Sequence, residues 1–365
     1  MTLYIYNMVG RAEQTFLVEG KRYGRANLAE LERLAEQRGP FWQDLCAFLA
    51  EWYAESPTVL VHTSGSTGTP KPFLAKKEQM ENSARLTCDV LGLEAGDRAL
   101  LCMPLRYIAG KMVVVRALVR GLELVLREPS GHPFATDLPA LKFAALVPLQ
   151  VYDTLRVPAE AERLARTTCL IIGGGSIDPE LEQALATLPV KAYSTYGMTE
   201  TLSHIALRRL NGAEASPWYR PFPTVSLRLS GEGTLIIRAP QVADAELLTN
   251  DVAELRPDGC FRILGRRDNT INTGGIKVQA EALEEELRPI IPVPFAITSV
   301  PDPKFGEAIV LLVESTPLEP IRHYIAHHLE AYKRPKRILQ VEQIPKTETG
   351  KVRRAGCREL ALKNI

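Results

Sequence analysis

No apolar stretch in this sequence of 365 residues is long enough to cross a bilayer, which excludes a helical membrane span. An excess of either charge is also lacking. The 44 Lys and Arg residues face 43 Asp and Glu, for a net charge of +1, so no polyanion-seeking face is expected and nucleic acid is not an expected partner. The basic run Lys333, Arg334, Lys336, Arg337 is short and reads as a solvated face. No Cys-x-x-Cys clip occurs among the six cysteines, Cys46, Cys88, Cys102, Cys169, Cys260 and Cys357. A metal clip or disulfide framework is therefore not expected, and the thiols read as buried and inert in a reducing compartment. Residues 1–10 lack the basic and then apolar pattern of a secretory leader. These absences lead to the expectation of a cytoplasmic globular protein without repeats or low-complexity tracts.

What is present is an alternation of strand-like and helix-like segments. Two helices are expected over residues 27–38 and 41–54, divided by Gly39-Pro40. A β-branched strand follows at 58–62. Strand patterns at 98–102, 122–126, 143–147 and 169–172 are interleaved with helical patterns at 76–91, 111–120 and from 149 onward. Such alternation predicts an α/β fold with a mainly parallel sheet. After about residue 220 the texture changes to short strands at 225–229, 234–238 and 260–264 with turns between them, which predicts a small antiparallel β-subdomain. From Asp268 helices and strands mix again, as in a small α+β domain. The expected division is an N-terminal domain of residues 1–267 and a C-terminal domain of 268–365.

The segment with the most chemistry is Thr63-Ser64-Gly65-Ser66-Thr67-Gly68-Thr69-Pro70-Lys71, placed directly after the strand at 58–62. Its glycines let the backbone approach an anion, its hydroxyls and N–H groups can surround phosphate oxygens, and Lys71 adds a point charge. It is not a Walker loop, because Pro70 precedes the lysine and Pro72 follows it. The segment resembles the phosphate loop of the adenylate-forming superfamily, which includes acyl-CoA synthetases, luciferases and the adenylation domains of peptide synthetases.

Further segments resemble motifs of that superfamily, in its order. Gly173-Gly174-Gly175-Ser176 resembles its adenine-binding turn, and Tyr196-Gly197-Met198-Thr199-Glu200 its Tyr-Gly-x-Thr-Glu motif. The resemblance implies that Tyr196 stacks on adenine, Thr199 contacts the α-phosphate region and Glu200 helps to hold Mg²⁺. Thr249-Asn250-Asp251 resembles Thr-Gly-Asp, with Asn250 in place of Gly, and implies a ribose-binding Asp251. Gly265-Arg266-Arg267-Asp268-Asn269 resembles Gly-Arg-x-Asp-Asp, with Asn269 in place of the second Asp. It implies that Arg266 contacts ribose or phosphate and that Asp268 is the hinge of a mobile C-terminal domain. Gly274-Gly275 resembles the motif that lines the thioester half-site, and Pro345 to Lys351 the terminal motif with Lys351 as adenylation lysine.

The implied substrates and cofactors are ATP, Mg²⁺, coenzyme A and a small carboxylic acid. The implied reaction is acyl-adenylate formation followed by transfer to coenzyme A, with another aryl- or acyl-CoA ligase, or an adenylate-binding domain that loads a carrier in trans, as the alternatives. Three segments, Met103 to Gly110, Leu146 to Gln150 and Tyr196 to Arg208, resemble the 2-succinylbenzoate–CoA ligase branch. Such an acid has a second carboxylate, for which Arg208, His204, Lys111 and Arg106 are candidates. The resemblance begins near residue 58, so the region before the phosphate loop is expected to be shortened. A partner or a second copy in a homo-oligomer is the expected cover for the sheet surface this leaves.

Overall fold

The computed structural model describes residues 10–62, 72–175, 177–346 and 352–364. The chain forms two compact units, one of residues up to 226 together with 238–246, the other of 227–237 and 247 onward. The packing division thus falls before the strand that carries Asp251, whereas the expected functional division lies at 267 and 268.

The first unit begins with β1 (Thr15–Val18), β2 (Lys21–Gly24), α1 (Leu28–Arg38) and α2 (Pro40–Tyr53). Then come β3 (Thr58–His62), β4 (Pro72–Lys76), α3 (Lys77–Leu91), β5 (Arg98–Leu101), α4 (Ile108–Arg120) and β6 (Glu123–Leu126). It continues with β7 (Phe143–Leu146), α5 (Pro148–Leu155), α6 (Pro158–Ala165), β8 (Cys169–Ile172), α7 (Pro179–Ala186), β9 (Lys191–Gly197), β10 (His204–Arg209) and β11 (Arg220–Pro221). Nine strands form one sheet in the order β11-β10-β9-β8-β7-β5-β6-β1-β2. From β9 through β1 the neighbours run parallel, and an antiparallel strand or pair closes each edge. The expected α/β architecture with a mainly parallel sheet is therefore present.

Alternation along the strands divides the core. Ala99, Leu101, Phe143, Ala145 and Ile171 pack on one face with residues of α1 to α4. Leu100, Ala144, Leu146, Leu170 and Ile172 pack on the other with residues of α5 to α7. This is the period-two signature of a sheet buried on both sides. Phe41, Leu45, Phe48, Leu49 and Trp52 of α2 belong to the first core, so α1 and α2 cover part of that face of the sheet. β3 and β4 pair antiparallel as a separate ribbon.

The second unit carries β12 (Ser226–Leu229), β13 (Thr234–Arg238), β14 (Leu247–Leu255) and β15 (Phe261–Arg266) as a four-stranded sheet in that order. It continues with β16 (Thr270–Thr273), β17 (Ile276–Gln279), α8 (Ala280–Leu287), β18 (Phe295–Asp302), β19 (Gly306–Val313), α9 (Leu318–His328), β20 (Arg337–Gln340) and α10 (Arg354–Lys363). The five strands β16 to β20 form one sheet. Residues of α8 and α9 pack with Ile297, Ile309 and Leu311, and those of α10 with Ala296, Val310 and Leu312. The small antiparallel subdomain and the α+β arrangement expected after residue 220 are both present.

Candidate functional site

In an open sheet of parallel strands, ligands bind outside the carboxyl ends of the strands, and two of the expected motifs lie there. The turn Gly173–Gly175 leaves the end of β8, and the Gly173 N–H donates to the Leu146 carbonyl of β7 at 3.0 Å. A Cβ on Gly173 would stand 2.4 Å from Thr195 Oγ1 of β9, and one on Gly175 would stand 3.2 Å from Pro148 Cγ at the start of α5. Glycine here is required by close approach: the turn lies flush against β9, leaving its backbone open to a ligand. The neighbouring Ser176 lies outside the described residues.

Tyr196 and Gly197 end β9. The Tyr196 ring lies 5.9 Å from the Tyr219 ring at 58°. The Tyr219 hydroxyl is 2.8 Å from the Ser194 hydroxyl, and the Arg208 guanidinium stands 5.8 Å from the Tyr219 ring centre. Gly197 is crowded by backbone, since a Cβ there would meet Ser203 O at 2.2 Å. A single helical turn, Thr199–Thr201, follows. The Met198 N–H donates to Thr201 Oγ1 at 2.9 Å, and that fully buried hydroxyl lies 2.8 Å from Ser203 O.

Leu202 then takes φ +63° and ψ −32°, with the Ser203 N–H donating to Thr201 O at 2.7 Å. This is a γ-turn of the rare φ-positive kind at a buried leucine, a conformation that costs about 1–3 kcal/mol and persists only when its surroundings enforce it. The turn returns the chain into β10 and leaves Glu200 exposed, with Thr199 half-buried. The Glu200 carboxylate makes no ion pair or hydrogen bond with any of the described residues.

A polar cluster buried behind this turn enforces it. Arg116 of α4 is 2 % exposed. Its Nη2 donates to Ser203 Oγ at 2.7 Å and lies 3.4 Å from Thr87 Oγ1. His204 Nε2 is 3.2 Å from Thr87 Oγ1, and its Nδ1 is 3.2 Å from Ser203 Oγ. Arg116 has no carboxylate partner among the described residues, and burial pushes its guanidinium down to about 10. Burial, with the Arg116 charge beside it, holds the His204 imidazole well below its ordinary range. Sequence reasoning missed Arg116, Leu202, Ser203 and Tyr219. The available signal was Arg116 itself, a charge inside the apolar run Val113-Val114-Val115-Arg116-Ala117-Leu118.

The second unit brings together Asp251, Arg266 and Asp268. Asp251 of β14 and Arg266 of β15 are cross-strand partners, and Arg266 reaches Asp251 Oδ1 and Asp268 Oδ2 at 3.4 Å each. Thr249 anchors the strand, its buried hydroxyl donating to Leu235 O at 2.8 Å and accepting from the Asp251 N–H at 3.1 Å. Gly274 and Gly275, with φ +60° and +83°, form the two-residue turn between β16 and β17. Positive φ at both positions is what a tight hairpin turn of this hand demands.

Residues 63–71 and Lys351 lie outside the described residues, so Thr63, Ser64, Gly65, Ser66, Thr67, Gly68, Lys71 and Lys351 are not located here. Of the candidates for a second carboxylate, Lys111 pairs with Glu51 at 3.1 Å and Arg208 with Glu182 through bonds of 2.9 and 3.0 Å. His204 is in the buried cluster. Arg106 is exposed, 4.8 Å from the Tyr107 ring. All six cysteines are buried and unbridged, and burial pushes the Cys102 thiol up to about 12, consistent with inert thiols. Among the described residues no cluster of three or more metal-ligating side chains occurs, and no helix is long and apolar enough to cross a membrane.

The family described as AMP-binding enzyme matches residues 21–248, and the AMP-binding enzyme C-terminal domain matches residues 295–351. A 2-succinylbenzoate–CoA ligase from Enterococcus faecalis is 27% identical over 331 residues, covering 82% of this chain and 68% of its own. One from Bacillus cereus is 25% identical, covering 85% and 71%. Among solved structures, an acyl-CoA synthetase (AMP-forming)/AMP-acid ligase II-like protein from Dyadobacter fermentans is 32% identical with a TM-score of 0.62, covering 87% of this chain and 94% of its own. The O-succinylbenzoate–CoA synthetase of Bacillus subtilis, solved with ATP and magnesium, shares the fold at 16% identity, with a TM-score of 0.70 over 94% and 96% of the two chains.

Proposed function

Since this chain belongs to the AMP-binding enzyme family, we propose that its carboxylic acid substrate is 2-succinylbenzoate, activated with ATP as an acyl-adenylate and passed to coenzyme A. The enzyme is an AMP-forming acid–thiol ligase. The observation that carries the site assignment is the close approach at the ends of β8 and β9, where the Gly173–Gly175 turn lies against Thr195, the residue before the Tyr196–Glu200 segment. The choice of acid is supported by the two ligase relatives named above and by the segments Met103 to Gly110 and Leu146 to Gln150.

In this reading the adenine lies between the glycine turn and the Tyr196 ring, which Tyr219 backs. Thr199 contacts the α-phosphate region. Glu200, exposed and without a protein partner among the described residues, suits Mg²⁺, which on a nucleotide takes one or two protein carboxylates and keeps its other places for phosphate and water. When bound, the metal neutralises phosphate charge. Asp251 accepts from the ribose hydroxyls and Arg266 contacts ribose or phosphate. The phosphate loop, residues 63–71, holds the pyrophosphate in line, and Lys351 offsets the repulsion between the carboxylate and the α-phosphate.

Of the distal-carboxylate candidates, Arg106 is both exposed and without an ion pair among the described residues. It stands just past the carboxyl end of β5 on the segment leading into α4, and we assign it that role. In the second step the C-terminal domain turns about Asp268, Lys351 withdraws, and the thiol, losing its proton, attacks the acyl carbon and breaks its bond to the phosphate oxygen, releasing AMP, with Gly274 and Gly275 lining the path. That is hinge motion over a few residues.

The test is pyrophosphate release over a panel of carboxylic acids, with and without coenzyme A. Release with 2-succinylbenzoate and formation of its thioester are expected. Turnover of a different aryl acid overturns the choice of acid, and adenylation without any thioester turns the reading towards carrier loading. Lys351→Ala should abolish adenylation and largely spare thioester formation from supplied acyl-adenylate. Equal loss of both steps would sink its assignment.

A further inference from the structure

The sequence departs from the family motifs at two positions, Asn250 for Gly and Asn269 for Asp, and the fold brings both to the same place. Asn250 Nδ2 donates to Asp268 Oδ2 at 3.1 Å. Asn269 Nδ2 donates to Glu281 Oε1, in the first turn of α8. The residue they flank, Asp268, sits in the single helical turn Arg267–Asn269 that joins β15 to β16. One amide therefore ties the hinge to β14 on its N-terminal side, and the other ties it to α8 on its C-terminal side.

The surroundings fit the amides and not the residues they replace. Glycine at 250 would leave Asp268 with Arg266 alone, at 3.4 Å. Aspartate at 269 would set a carboxylate against Glu281, whose remaining oxygen is buried without a hydrogen-bond partner among the described residues. Like charges at that range repel in a partly desolvated site. Gly265 makes room for this arrangement, since a Cβ there would stand 2.7 Å from Glu281 Oε2. Glu281 is in turn faced by Arg354 of α10, whose Nη2 lies 3.6 Å away. Arg354 is held to Glu284 by two bonds, one of them 2.8 Å, and it follows Lys351 by three positions.

We infer that Asn250 and Asn269 form an amide latch on the hinge, making them positioning residues that set the balance between the adenylation and thioester-forming half-reactions. This rests on the role proposed above for Asp268. A latch differs from mere packing in its consequence. Loosening it shifts the population of the two hinge states, so one half-reaction gains relative to the other, whereas lost packing lowers both together.

The test uses Asn250→Gly, Asn269→Asp and the double variant in the full chain. Each single variant should change the ratio of the two half-reaction rates at least threefold, with the double variant changing it further and the KM for ATP unmoved. The latch itself is read without activity. Trypsin cleavage after Arg266 or Arg267, mapped by mass spectrometry, should be at least threefold faster in Asn269→Asp, and Asn269→Gln should restore part of the protection. Unchanged cleavage overturns the latch whatever the kinetics. Faster cleavage with both half-reactions lowered by the same factor overturns the positioning role. A wild-type enzyme that adenylates no acid would defeat the functional reading, while the cleavage result would still judge the latch.

Discussion

The two motif-bearing regions are built on opposite principles. In the first unit the Tyr196–Ser203 turn is backed by groups removed from water: a buried threonine hydroxyl, a leucine at positive φ, and a guanidinium with no carboxylate among the described residues. In the second, the Asp251–Arg266–Asp268 cluster is exposed or half-exposed and held by ion pairs of 3.4 Å and a side-chain amide. Exposed pairs of this kind are worth about 0–1 kcal/mol each and exchange readily. Buried polar contacts cost more to break, because water does not replace them. A backbone that is to be held fixed against a nucleotide, the role proposed for this turn, suits the first kind. A hinge that lets go within each turnover, the role proposed for Asp268, suits the second.

The sharpest break of this comparison is a methyl group. Gly197→Ala places a Cβ 2.2 Å from a backbone oxygen that cannot rotate away, so the turn carrying Thr199 and Glu200 must shift. Adenylation should fall at least about a hundredfold, about 2.7 kcal/mol of barrier, in a protein that still folds. Gly275→Ala in the second unit meets nothing within 4 Å and pays only for its φ of +83°, about 1–2 kcal/mol. Its effect on pyrophosphate release should be a few-fold at most. Comparable losses from the two substitutions would erase the distinction between a crowded turn and an open one.

The same contrast governs what was legible beforehand. Gly197, Gly173, Asp251 and Arg266 could be singled out from sequence because their pattern is local: a glycine required by close approach, or a charge beside a turn, leaves its mark in a few consecutive residues. The parallel strands were found because β5, β7 and β8 are continuous apolar runs buried on both faces. The hairpin β1–β2 was not, since its reason to be a strand is β6, about a hundred residues away. β9 and β10 escaped for another reason. In β9 the polar atoms of Tyr193, Ser194, Thr195 and Tyr196 interrupt any apolar run and hide the strand. Arg116 escaped because a helix pattern over 111–120 absorbs one arginine without remark. Only α4 packed against α3, with Ser203 above it, shows that this arginine is out of water.

Arg116 is therefore the next place to press. Arg116→Met fills the same space without the charge. Replacing a buried charge by an apolar group of similar volume is often neutral or stabilising, so unfolding free energy should stay within about 1 kcal/mol of the wild type. Activity should drop about tenfold, in kcat and not in the KM for ATP, because Ser203 loses the donor that helps hold the γ-turn. Arg116→Lys should recover part of it. A large loss of stability with unchanged activity per folded molecule would make Arg116 a purely structural group, and the first region would lose its distinguishing device.

The smallest effect is on stability against pH, and it isolates the neighbour of that arginine. His204 is faced by Arg116 from α4, Thr87 from α3, the Ser203 hydroxyl and the Phe222 ring; burial and the Arg116 charge disfavour the imidazolium, and no carboxylate among these neighbours offsets them. Its folded-state pKa is depressed, so above the unfolded value of about 6.5 both states are neutral and His204 costs nothing. Below that value the unfolded chain takes up a proton that the folded chain refuses, and stability declines by up to about 1.4 kcal/mol per pH unit until the folded pKa is reached. His204→Gln removes the titration while keeping a polar group beside Thr87. The unfolding free energy between pH 7.5 and 5 should fall less steeply for the variant than for the wild type, by about 1.4 kcal/mol at pH 5.5. Equal slopes for wild type and His204→Gln would mean that the cluster behind the turn admits water and a proton, and the turn would then owe its shape to Gly197 and Thr201 alone.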